Sequence, residues 1–405
     1  MKYIVTTAVF LSSFAVSCQN KDMANNSDTK VTSAKPVETE KPNTNYKPAF
    51  AGQTRIAGVK TQTPYKSEVL TTSLGKPWAI TNFTNGRFLV TEKSGFIQIV
   101  SADGRTVSKV NGLPPVDAKG QGGLLDVVLD PHFSENRTIY WSFSEPVAGG
   151  NHTAVAKGRL SEDEKTIENP KVIFRATPTY DGSLHYGSRL AFDREGHLFV
   201  STGERSDKKT RVHAQNPASY LGKILRITKD GAPAPGNPGI SGWKPEIYSI
   251  GHRNPQGLAI HPVTGEIWEN EFGPRGGDEI NLIQPGKNYG WGDVTYGLEY
   301  SGATIGDGIT QKDGTQQPLY YWDPVISPSG MDFYTGNIEE WKNNLFIGAL
   351  SGQHIDRIVI TNNKITGEER LLANDGERFR DVLNGADGNL YAVTDSGKLY
   401  KISKK

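Results

Sequence analysis

Two neighbouring segments hold many of the residues in this chain that could carry out chemistry. One is HRNPQG, from His252 to Gly257, and the other is EFGPRGGDEIN, from Glu271 to Asn281. Together they combine cationic, amide and carboxylate side chains with several glycines. Turns of this composition bring charged groups and backbone carbonyls toward a small anion or a metal ion. Because a sheet protein rarely needs so much irregular polar sequence for folding alone, we interpret them as the rim of a functional site.

A histidine and an arginine are the main candidates for catalysis. His185, in HYGSRL, precedes a predicted inner strand, where an imidazole can act as a general base near neutral pH. A lone loop histidine is more often only hydrogen-bonded, but the adjacent glycine and the other polar segments favour the catalytic interpretation. Arg253, beside Asn254, suits recognition of carboxylate or quinone oxygens. An arginine in this place could equally form a structural ion pair.

Polar residues at equivalent places in other segments point to the same site. Gln121 comes before a Gly-Gly pair, and Arg378 and Arg380 come before the last apolar run. If the repeat register is right, these arginines and Arg253 face one opening, where they would repel one another unless an anion lay between them. The pattern predicts an anionic ligand.

A cation site is predicted in the second segment. The turn at Gly273 and Pro274 exposes backbone carbonyls, which can bind a hard cation such as calcium. Asp278, Glu279 and Tyr289 offer a second cluster of oxygens nearby. A simple loop with surface carboxylates is the alternative interpretation of any acidic pair.

These residues lie within six similar units. From Trp78 onward, an apolar run, a polar turn and an aromatic-rich strand recur at residues 78–90, 124–141, 190–200, 258–268, 331–347 and 382–393. The spacing of roughly 45 to 75 residues suits four-stranded propeller blades with insertions. We predict an all-β fold, a single six-bladed β-propeller over residues 58–405, with residues 68–72 adding the outer strand of the last blade. A pair of β-sandwiches explains the repeat less well.

The N-terminus has the pattern of an export signal. Lys2 precedes an apolar stretch over residues 4–16, which is too short to span a bilayer. The stretch ends at Cys18, the single cysteine of the chain, in a segment that resembles a bacterial lipobox with Ala15 in place of the usual leucine. We predict a signal peptide over residues 1–18 and a lipid anchor at Cys18, in the periplasm or at the outer membrane. An ordinary secretory signal is the alternative.

Composition limits the remaining choices. Residues 19–57 are rich in Asn, Thr, Lys, Glu and Pro, and they are predicted to form a flexible tether. The formal net charge is +1, without a basic stripe that would indicate nucleic-acid binding. The single cysteine excludes an internal disulfide, and neither a P-loop nor a nucleophile elbow occurs.

In combination, the motifs resemble one enzyme family. HYGSRLAF, GHRNPQGLAIHP, FGPRGGDEINLI, GKNYGW and RFRDV with DGNLYAVTD are similar to the soluble aldose (glucose) dehydrogenases that use pyrroloquinoline quinone (PQQ). The resemblance runs from about Trp78 to the C-terminus. It implies a periplasmic six-bladed propeller that oxidises aldose sugars at the anomeric carbon to lactones, with PQQ and calcium as cofactors. The partners would be the sugar and an electron acceptor that the sequence does not identify.

The resemblance also implies a role for each candidate. His185 would take the proton of the anomeric hydroxyl, and Arg253 would polarise the quinone. The residues that would hold the oxygens and carboxylates of the cofactor are Gln121, Asn254, Arg378 and Arg380. The carbonyls that would bind the calcium ion bridging to the cofactor belong to Gly273 and Pro274, and the ligands of a second, structural calcium ion would be Glu279 and Tyr289.

Two positions depart from the family pattern. Ser351 stands where the resembling enzymes carry a cofactor-binding lysine in the fifth unit. Leu184 stands where the glucose-oxidising branch carries an acid, which favours the broader aldose branch.

The alternatives are a PQQ dehydrogenase of another substrate such as sorbosone, and a non-catalytic propeller that binds glycans or proteins. Ser351 favours the latter, but a base and an anion clamp in one chain argue against it. A homodimer is a further expectation.

Overall fold

Six antiparallel sheets of four strands each form the protein, which the computed structural model describes over residues 34–405. The innermost strands of adjacent sheets contact one another all the way round, so that the sheets close into a ring. The predicted six-bladed β-propeller is therefore confirmed. The predicted signal peptide, residues 1–18 with Cys18, lies outside the described residues.

The strands follow one another outward from the centre of the ring in each blade, except at the closing blade. The first strand of the chain is β1 (Tyr65–Thr71). Blade 1 comprises β2 (Pro77–Asn82), β3 (Phe88–Glu92), β4 (Phe96–Val100) and β5 (Thr106–Val110). Blade 2 comprises β6 (Leu124–Leu129), β7 (Thr138–Val147), β8 (Gly150–Leu160) and β9 (Ile167–Arg175). Blade 3 comprises β10 (Gly187–Phe192), β11 (Leu198–Thr202), β12 (Lys223–Ile227) and β13 (Ile247–Ile250).

The remaining three blades continue in chain order. Blade 4 comprises β14 (Pro255–Ile260), β15 (Ile267–Glu271), β16 (Asp278–Ile283) and β17 (Tyr320–Trp322). Blade 5 comprises β18 (Pro328–Phe333), β19 (Leu345–Ala349), β20 (His354–Thr361) and β21 (Lys364–Leu371). Blade 6 comprises β22 (Phe379–Asn384), β23 (Leu390–Thr394) and β24 (Leu399–Lys404), with β1 as its fourth strand.

Helices in residues 34–405 are single turns. The α-helices are α1 (Phe133–Asn136) and α2 (Lys208–Arg211), and the 3₁₀ turns are Thr84–Gly86, Val212–Ala214 and Glu339–Trp341. Within this part of the chain, no helix has both the length and the apolar character that crossing a membrane requires.

The ring closes through the pairing of β1 with β24. The two strands are antiparallel, with Glu68 opposite Lys401. This confirms the predicted outer strand, which the N-terminal part of the domain donates to the C-terminal blade. The pairing gives the last blade its fourth strand. Propellers protect the edges of their sheets in this way.

The apolar core is divided into layers between consecutive blades. Between blades 1 and 2, for example, Leu89 and Ile97 pack against Trp141 and Phe143, all of them buried. Five further clusters fill the other blade-to-blade contacts. Because each blade buries its faces only against its neighbours, the fold is stable as a closed ring.

A buried arginine of blade 3 contacts four other blades near the centre. Arg189 in β10 contacts Asp126 of blade 2 at 3.2 Å and Asp381 of blade 6 at 3.1 Å. Its Nε donates to the carbonyl of Gln256 in blade 4 at 3.0 Å. The guanidinium also lies 4.4 Å from the ring centre of Trp78 in blade 1. This residue thus joins the inner strands on which the site is built.

The predicted tether at residues 19–57 is wrong for residues 34–57, which we call the N-terminal strap. The strap lies against the outer strands of blades 4 and 5. The backbone amides of Asn43 and Thr44 donate to the carboxylate of Asp323 at 2.8 and 2.9 Å, and Arg370 contacts Glu38 at 2.8 Å. Composition misled the prediction because hydrogen bonds to buried polar groups of the propeller hold this segment, with Ile56 adding an apolar contact. Residues 19–33 lie outside the described residues.

The strap also supports a long connection of blade 4. Gln53 is fully buried, and its Nε2 donates to the carbonyl of Pro318 at 2.9 Å. Its Oε1 accepts from the hydroxyl of Tyr296 at 3.1 Å. The strap therefore braces the segment between β16 and β17.

Replacing Asp323 by alanine should release the strap. Asp323 accepts four hydrogen bonds from Asn43 and Thr44, so its loss leaves several donors without a partner. We expect a loss of about 2–3 kcal/mol in the free energy of unfolding, measured by urea denaturation. The exposed carboxylate of Asp313 provides the control, because Asp313→Ala should change the value by less than about 0.5 kcal/mol. Equal stabilities of the two variants would contradict this account of the strap.

Candidate active site

Two adjacent cavities open at the end of the ring where inner strands begin and second strands finish. The central cavity has a volume of about 370 Å³, and its lining residues come from blades 1, 2, 4, 5 and 6. The side cavity has a volume of about 330 Å³ and lies over blades 3 and 4. The candidate residues Gln121, Arg378 and Arg380 line the central cavity, and His185, Arg253 and Pro274 line the side cavity. The repeat register therefore brings most predicted residues together.

His185 is held at the boundary between the cavities. Its Nδ1 lies 2.6 Å from Oε1 of Glu204, and its backbone amide donates to Oε1 of Gln121 at 2.8 Å. A carboxylate at Nδ1 favours the tautomer with the proton on that nitrogen, which leaves the lone pair on Nε2. Burial, followed by the charge of Arg253, lowers the pKa of His185 to about 4. The imidazole is therefore neutral near pH 7 and able to accept a proton.

Arg253 is held by backbone carbonyls. Its Nη1 donates to the carbonyls of Phe272 and Gly273, both at 2.9 Å. The guanidinium lies 5.1 Å from the ring centre of Trp291, and Nη2 lies 3.4 Å from the hydroxyl of Tyr300. Within residues 34–405, no Asp or Glu lies within salt-bridge distance of it, so its charge is available to a ligand. That placement suits stabilisation of negative charge in a site shielded from water.

The two arginines of blade 6 share one carboxylate. Arg378 Nε lies 2.9 Å from Asp395, and Arg380 Nε lies 2.8 Å from it. Nη1 of Arg380 also donates to Oε1 of Gln256 at 3.1 Å. Two cations on one anion leave a positive charge at the mouth of the central cavity.

Asn254 occupies a different position from the other predicted cofactor ligands. Its side chain is fully buried, and Oδ1 accepts from the amide of Gly187 at 3.1 Å. It lines neither cavity. The contact that the structure shows is with the backbone next to His185, and a contact with a cofactor stays a prediction.

The Gly273 turn runs between the cavities. A β-carbon at this position would lie 2.3 Å from the carbonyl carbon and oxygen of Gly277, so only glycine fits. Asp278 accepts from the amides of Gly273, Ile326 and Ser327, each at 2.7 Å, and burial raises its pKa to about 7. Asp278 therefore positions the turn rather than offering free oxygens, whereas Pro274 faces the side cavity.

Glu279 belongs to a buried acidic cluster. It pairs across the strands with Glu271, and Glu269 lies on the same face. Ligand atoms of His252, Glu269 and Glu271 lie within 4.8 Å of one another. Burial, followed by the charge of Glu271, raises the pKa of both Glu269 and Glu279 well above the ordinary value. The buried Oε1 of Glu269 lacks a hydrogen-bond partner in the described structure, so the cluster has the composition of a cation site.

Tyr289 contributes its ring rather than its hydroxyl to this cluster. The ring stacks on His252 with centres 4.8 Å apart. The hydroxyl donates to the carbonyl of Leu282 at 2.6 Å and accepts from the amide of Gln284 at 2.9 Å. The structure therefore does not bring the hydroxyl oxygen to the carboxylates, and a metal contact of Tyr289 stays a prediction.

Sequence reasoning missed several residues of the site. Glu204, which orients His185, lies just after β11, so the repeat register could have placed it at the same end of the ring. Lys93, in the turn after β3, could have been found in the same way. Trp291 and Tyr300 come from the long connection between β16 and β17, which has no counterpart in the repeat.

Comparisons with known proteins point to one enzyme family. The family model described as glucose/sorbosone dehydrogenase matches residues 74–401. The aldose sugar dehydrogenase YliI of Escherichia coli is 42% identical over 346 residues, covering 84% of this chain and 92% of that protein. Quinoprotein glucose dehydrogenase B of Acinetobacter calcoaceticus is 27% identical, covering 82% of this chain and 86% of that protein.

Solved structures give the same result. A crystal structure of a glucose dehydrogenase superposes with a TM-score of 0.80 at 44% identity, covering 84% of this chain and all of that chain. The PQQ-bound aldose sugar dehydrogenase of Streptomyces coelicolor superposes with a TM-score of 0.67 at 28% identity, covering 85% of this chain and all of that chain.

Proposed function

Since the chain belongs to the glucose/sorbosone dehydrogenase family, we propose that it is a quinoprotein that oxidises aldose sugars with PQQ as its cofactor. It is an oxidoreductase that acts on sugar donors. The observation that carries the proposal is the neutral His185, held by Glu204 at the boundary of two cavities, beside Arg253, for which residues 34–405 provide no salt-bridge partner. A base and a cation in this arrangement suit removal of a proton from a hydroxyl with simultaneous loss of hydride from its carbon.

The central cavity fits PQQ, a flat quinone with three carboxylates. Its volume is about 370 Å³, and its lining includes Lys93, Arg378 and Arg380 against the single carboxylate of Asp395. Gln121 adds an amide on the side of His185. When bound, the quinone would supply the carbon that accepts hydride. Residues of this chain would bind its carboxylates and keep its ring at the boundary with the side cavity.

The side cavity would receive the sugar. Trp291 and Tyr300 provide aromatic surface, and Arg211 with Glu299 provides polar groups at the rim. Nε2 of His185 would accept the proton of the anomeric hydroxyl, while Glu204 holds the imidazole in orientation. Arg253 would stabilise the negative charge that develops on a neighbouring oxygen, and its fixed contacts with two carbonyls reduce the reorganisation this requires.

A second candidate substrate is sorbosone, which the name of the family includes. Leu184, at the rim of the side cavity, is 41% exposed and gives that edge an apolar character. This apolar edge agrees with the broader aldose branch and does not by itself select sorbosone. The non-catalytic alternative loses its support, because close relatives are dehydrogenases.

The proposed function is tested with PQQ, calcium and an artificial dye. The purified protein is mixed with PQQ and calcium, and bleaching of the dye is followed after addition of glucose, other aldoses or sorbosone. Bleaching with aldoses supports the proposal, and bleaching with sorbosone alone assigns the second substrate class. Failure to bleach with any of them, together with no binding of PQQ by calorimetry, would refute it.

Calcium would bind to this protein at two places. The carbonyl of Pro274, and that of Gly273 through the lone pair that Arg253 leaves free, would hold an ion that supplies Lewis-acid chemistry to the quinone. The acidic cluster around Glu279 would bind a structural ion, which three buried carboxylates need in order to remain charged together. The composition of each donor set supports this assignment, since hard cations prefer oxygen ligands.

Removal of calcium should lower thermal stability through the Glu279 cluster. Free calcium at 100 times its dissociation constant would add about 2.7 kcal/mol to the free energy of unfolding, which calorimetry with calcium and with a chelator measures. The variant Glu279→Gln should lose most of this increment, while Glu339→Gln, at an exposed carboxylate, should keep it. A calcium response that is unchanged in Glu279→Gln would contradict the site.

Export and lipid attachment at Cys18, a periplasmic or outer-membrane location, the electron acceptor and a homodimer stay predictions. The segment that would carry the anchor lies outside residues 34–405.

A further inference from the structure

Blade 5 brings no cation to the central cavity. After β19, Leu350 is the residue of this blade that lines the cavity. Ser351, at the position of the family lysine, is exposed, and its hydroxyl lies 2.8 Å from that of Ser327. Yet the cofactor proposed for this cavity is an anion with three carboxylates. Cations of the other blades that line this cavity would therefore have to bind those carboxylates.

Blade 1 provides two lysines at the same cavity. Lys93 lies in the turn after β3, and Lys76 lies just before β2; both line the central cavity. Nζ of Lys93 donates to the carbonyl of Gly120 at 2.6 Å, next to Gln121. Arg378 and Arg380 of blade 6 complete the lining, so that the four cations lie on adjacent blades.

The backbone around Lys93 is tightly fixed. Its amide donates to the carbonyl of Lys76 at 3.1 Å, and its carbonyl accepts from the amide of Leu124 at 3.1 Å. A β-carbon at Gly123 would lie 2.4 Å from that carbonyl, so blade 2 packs directly against it. The attachment point of the side chain is therefore fixed, and the contact of Nζ with the carbonyl of Gly120 restricts the side chain itself, so that less freedom remains to be lost when it binds a ligand.

Among residues 34–405, no carboxylate forms a salt bridge with these lysines, although the charge of Asp395, which lines the same cavity, acts on Lys93. Glu92 is adjacent in sequence, but its oxygens accept from the amides of Gly75 and Lys76 at 2.9 and 2.6 Å and from Gln98 at 2.7 Å. Within the described part of the chain, neither Lys76 nor Lys93 lies within salt-bridge distance of an acidic group. Burial, followed by the charges of Arg380 and Lys76, lowers the pKa of Lys93. An anion in the cavity would relieve this repulsion.

We propose that Lys93, supported by Lys76, binds a carboxylate of the quinone and thereby takes the place that the blade 5 lysine holds in the resembling dehydrogenases. This inference rests on the proposed function, because it assumes that PQQ occupies the central cavity. It makes Lys93 a binding residue without a role in proton transfer. The cationic side of the cofactor site is thus shifted from blades 5 and 6 to blades 6 and 1.

The first test is binding of PQQ without sugar, measured by calorimetry. Lys93→Met keeps the aliphatic stem and removes the charge, and a charge-assisted hydrogen bond lost in this way should raise the dissociation constant about 10-fold to 100-fold. Lys76→Met should raise it less, because this lysine is exposed. Lys119→Met is the matched control: Lys119 is exposed in a neighbouring loop, outside the cavity lining, and its loss should change the constant less than about 2-fold.

The second test returns the charge to blade 5. In the double variant Lys93→Met with Ser351→Lys, affinity should recover to within about 3-fold of the parent protein. Recovery would support the view that a lysine at either position binds the same carboxylate of PQQ. If the double variant binds PQQ as weakly as Lys93→Met does, Lys93 does not take the place of the blade 5 lysine. Thermal melting of each variant establishes that it is folded; if Lys93→Met does not fold, Lys93→Gln and Lys76→Met carry the comparison.

The outcomes separate this inference from the proposed function. If the parent protein does not bind PQQ, the proposed function itself fails. If the parent protein binds PQQ and Lys93→Met binds it as well as Lys119→Met does, the cofactor assignment stands and the inference about Lys93 is wrong.

Discussion

Replacing His185 by asparagine is expected to lower kcat for sugar oxidation by about 10²-fold to 10⁴-fold, the usual contribution of a general base. Asparagine can still donate a hydrogen bond to Glu204, which lies 2.6 Å from Nδ1 of the histidine, so the local structure should persist. The amide cannot accept the proton that Nε2 would take. Binding of PQQ should be unchanged, because the imidazole lines the side cavity rather than the central one.

The pH dependence of the parent enzyme tests the same assignment. The base acts when it is deprotonated, and the pKa of His185 is lowered to about 4. We therefore expect kcat/KM to stay level as the pH falls from 8 to about 5 and to drop only near pH 4, instead of near the ordinary histidine value of about 6.5. The exposed His132 gives the control variant His132→Asn, which should keep full activity. Full activity in His185→Asn would rule out this base.

The protonation of His185 should also make the free energy of unfolding depend on pH. Between about pH 6.5 and pH 4, an unfolded histidine binds a proton that the folded His185 does not. The unfolded state therefore gains protons first, and the contribution of His185 to stability is present above pH 6.5 and is lost as the pH falls toward 4.

Replacing Arg189 by methionine is expected to lower the free energy of unfolding by about 3–5 kcal/mol, measured by urea denaturation at neutral pH. Methionine fills much of the volume, but it leaves the carboxylates of Asp126 and Asp381 buried without the cation that lies between them at 3.2 and 3.1 Å. Burial already raises the pKa of Asp381 to about 6 with Arg189 in place. Loss of the guanidinium would raise the pKa of both carboxyls further.

Two further measurements distinguish loss of charge from loss of packing. Without Arg189, the two buried carboxyl groups destabilise the protein less when they are protonated than when they are charged. The loss in the free energy of unfolding caused by Arg189→Met should therefore shrink as the pH falls toward 5. Adding Asp381→Asn should recover part of the loss, since one buried charge is removed. Arg105→Met, at an exposed ion pair, should be within about 0.5 kcal/mol of the parent protein. A pH-independent deficit would assign the effect to packing.

The repeat was readable in the sequence because each blade is a local unit. The alternation of apolar runs, turns and aromatic strands marks the start of every inner strand, and so it also placed Gln121, His185 and Arg253 at equivalent positions. The end of a repeat unit is set by local turns, and these can be recognised without knowledge of the partner blade. The strand at Tyr65–Thr71 was also predictable, because the last blade needs a fourth strand.

Other features were decided by tertiary contacts between residues far apart in the chain. The strap at residues 34–57 is polar in composition, and only the position of Asp323 shows that it docks. The pairing of Glu204 with His185, the burial of Asn254 and the use of the Tyr289 hydroxyl within its own loop depend on where each side chain points. Sequence spacing does not contain that information.

By itself, the sequence determined the fold, the family and the end of the ring at which the site lies, since these depend on local periodicity and on motifs within single units. The tertiary structure decided which charges are neutralised there. Asp395 pairs with two arginines, and Glu92 accepts hydrogen bonds from backbone amides. Lys93 donates to the carbonyl of Gly120, and no acidic group of residues 34–405 lies within salt-bridge distance of it. Electrostatic interactions depend on distance and burial rather than on position along the chain, and both are properties of the folded ring.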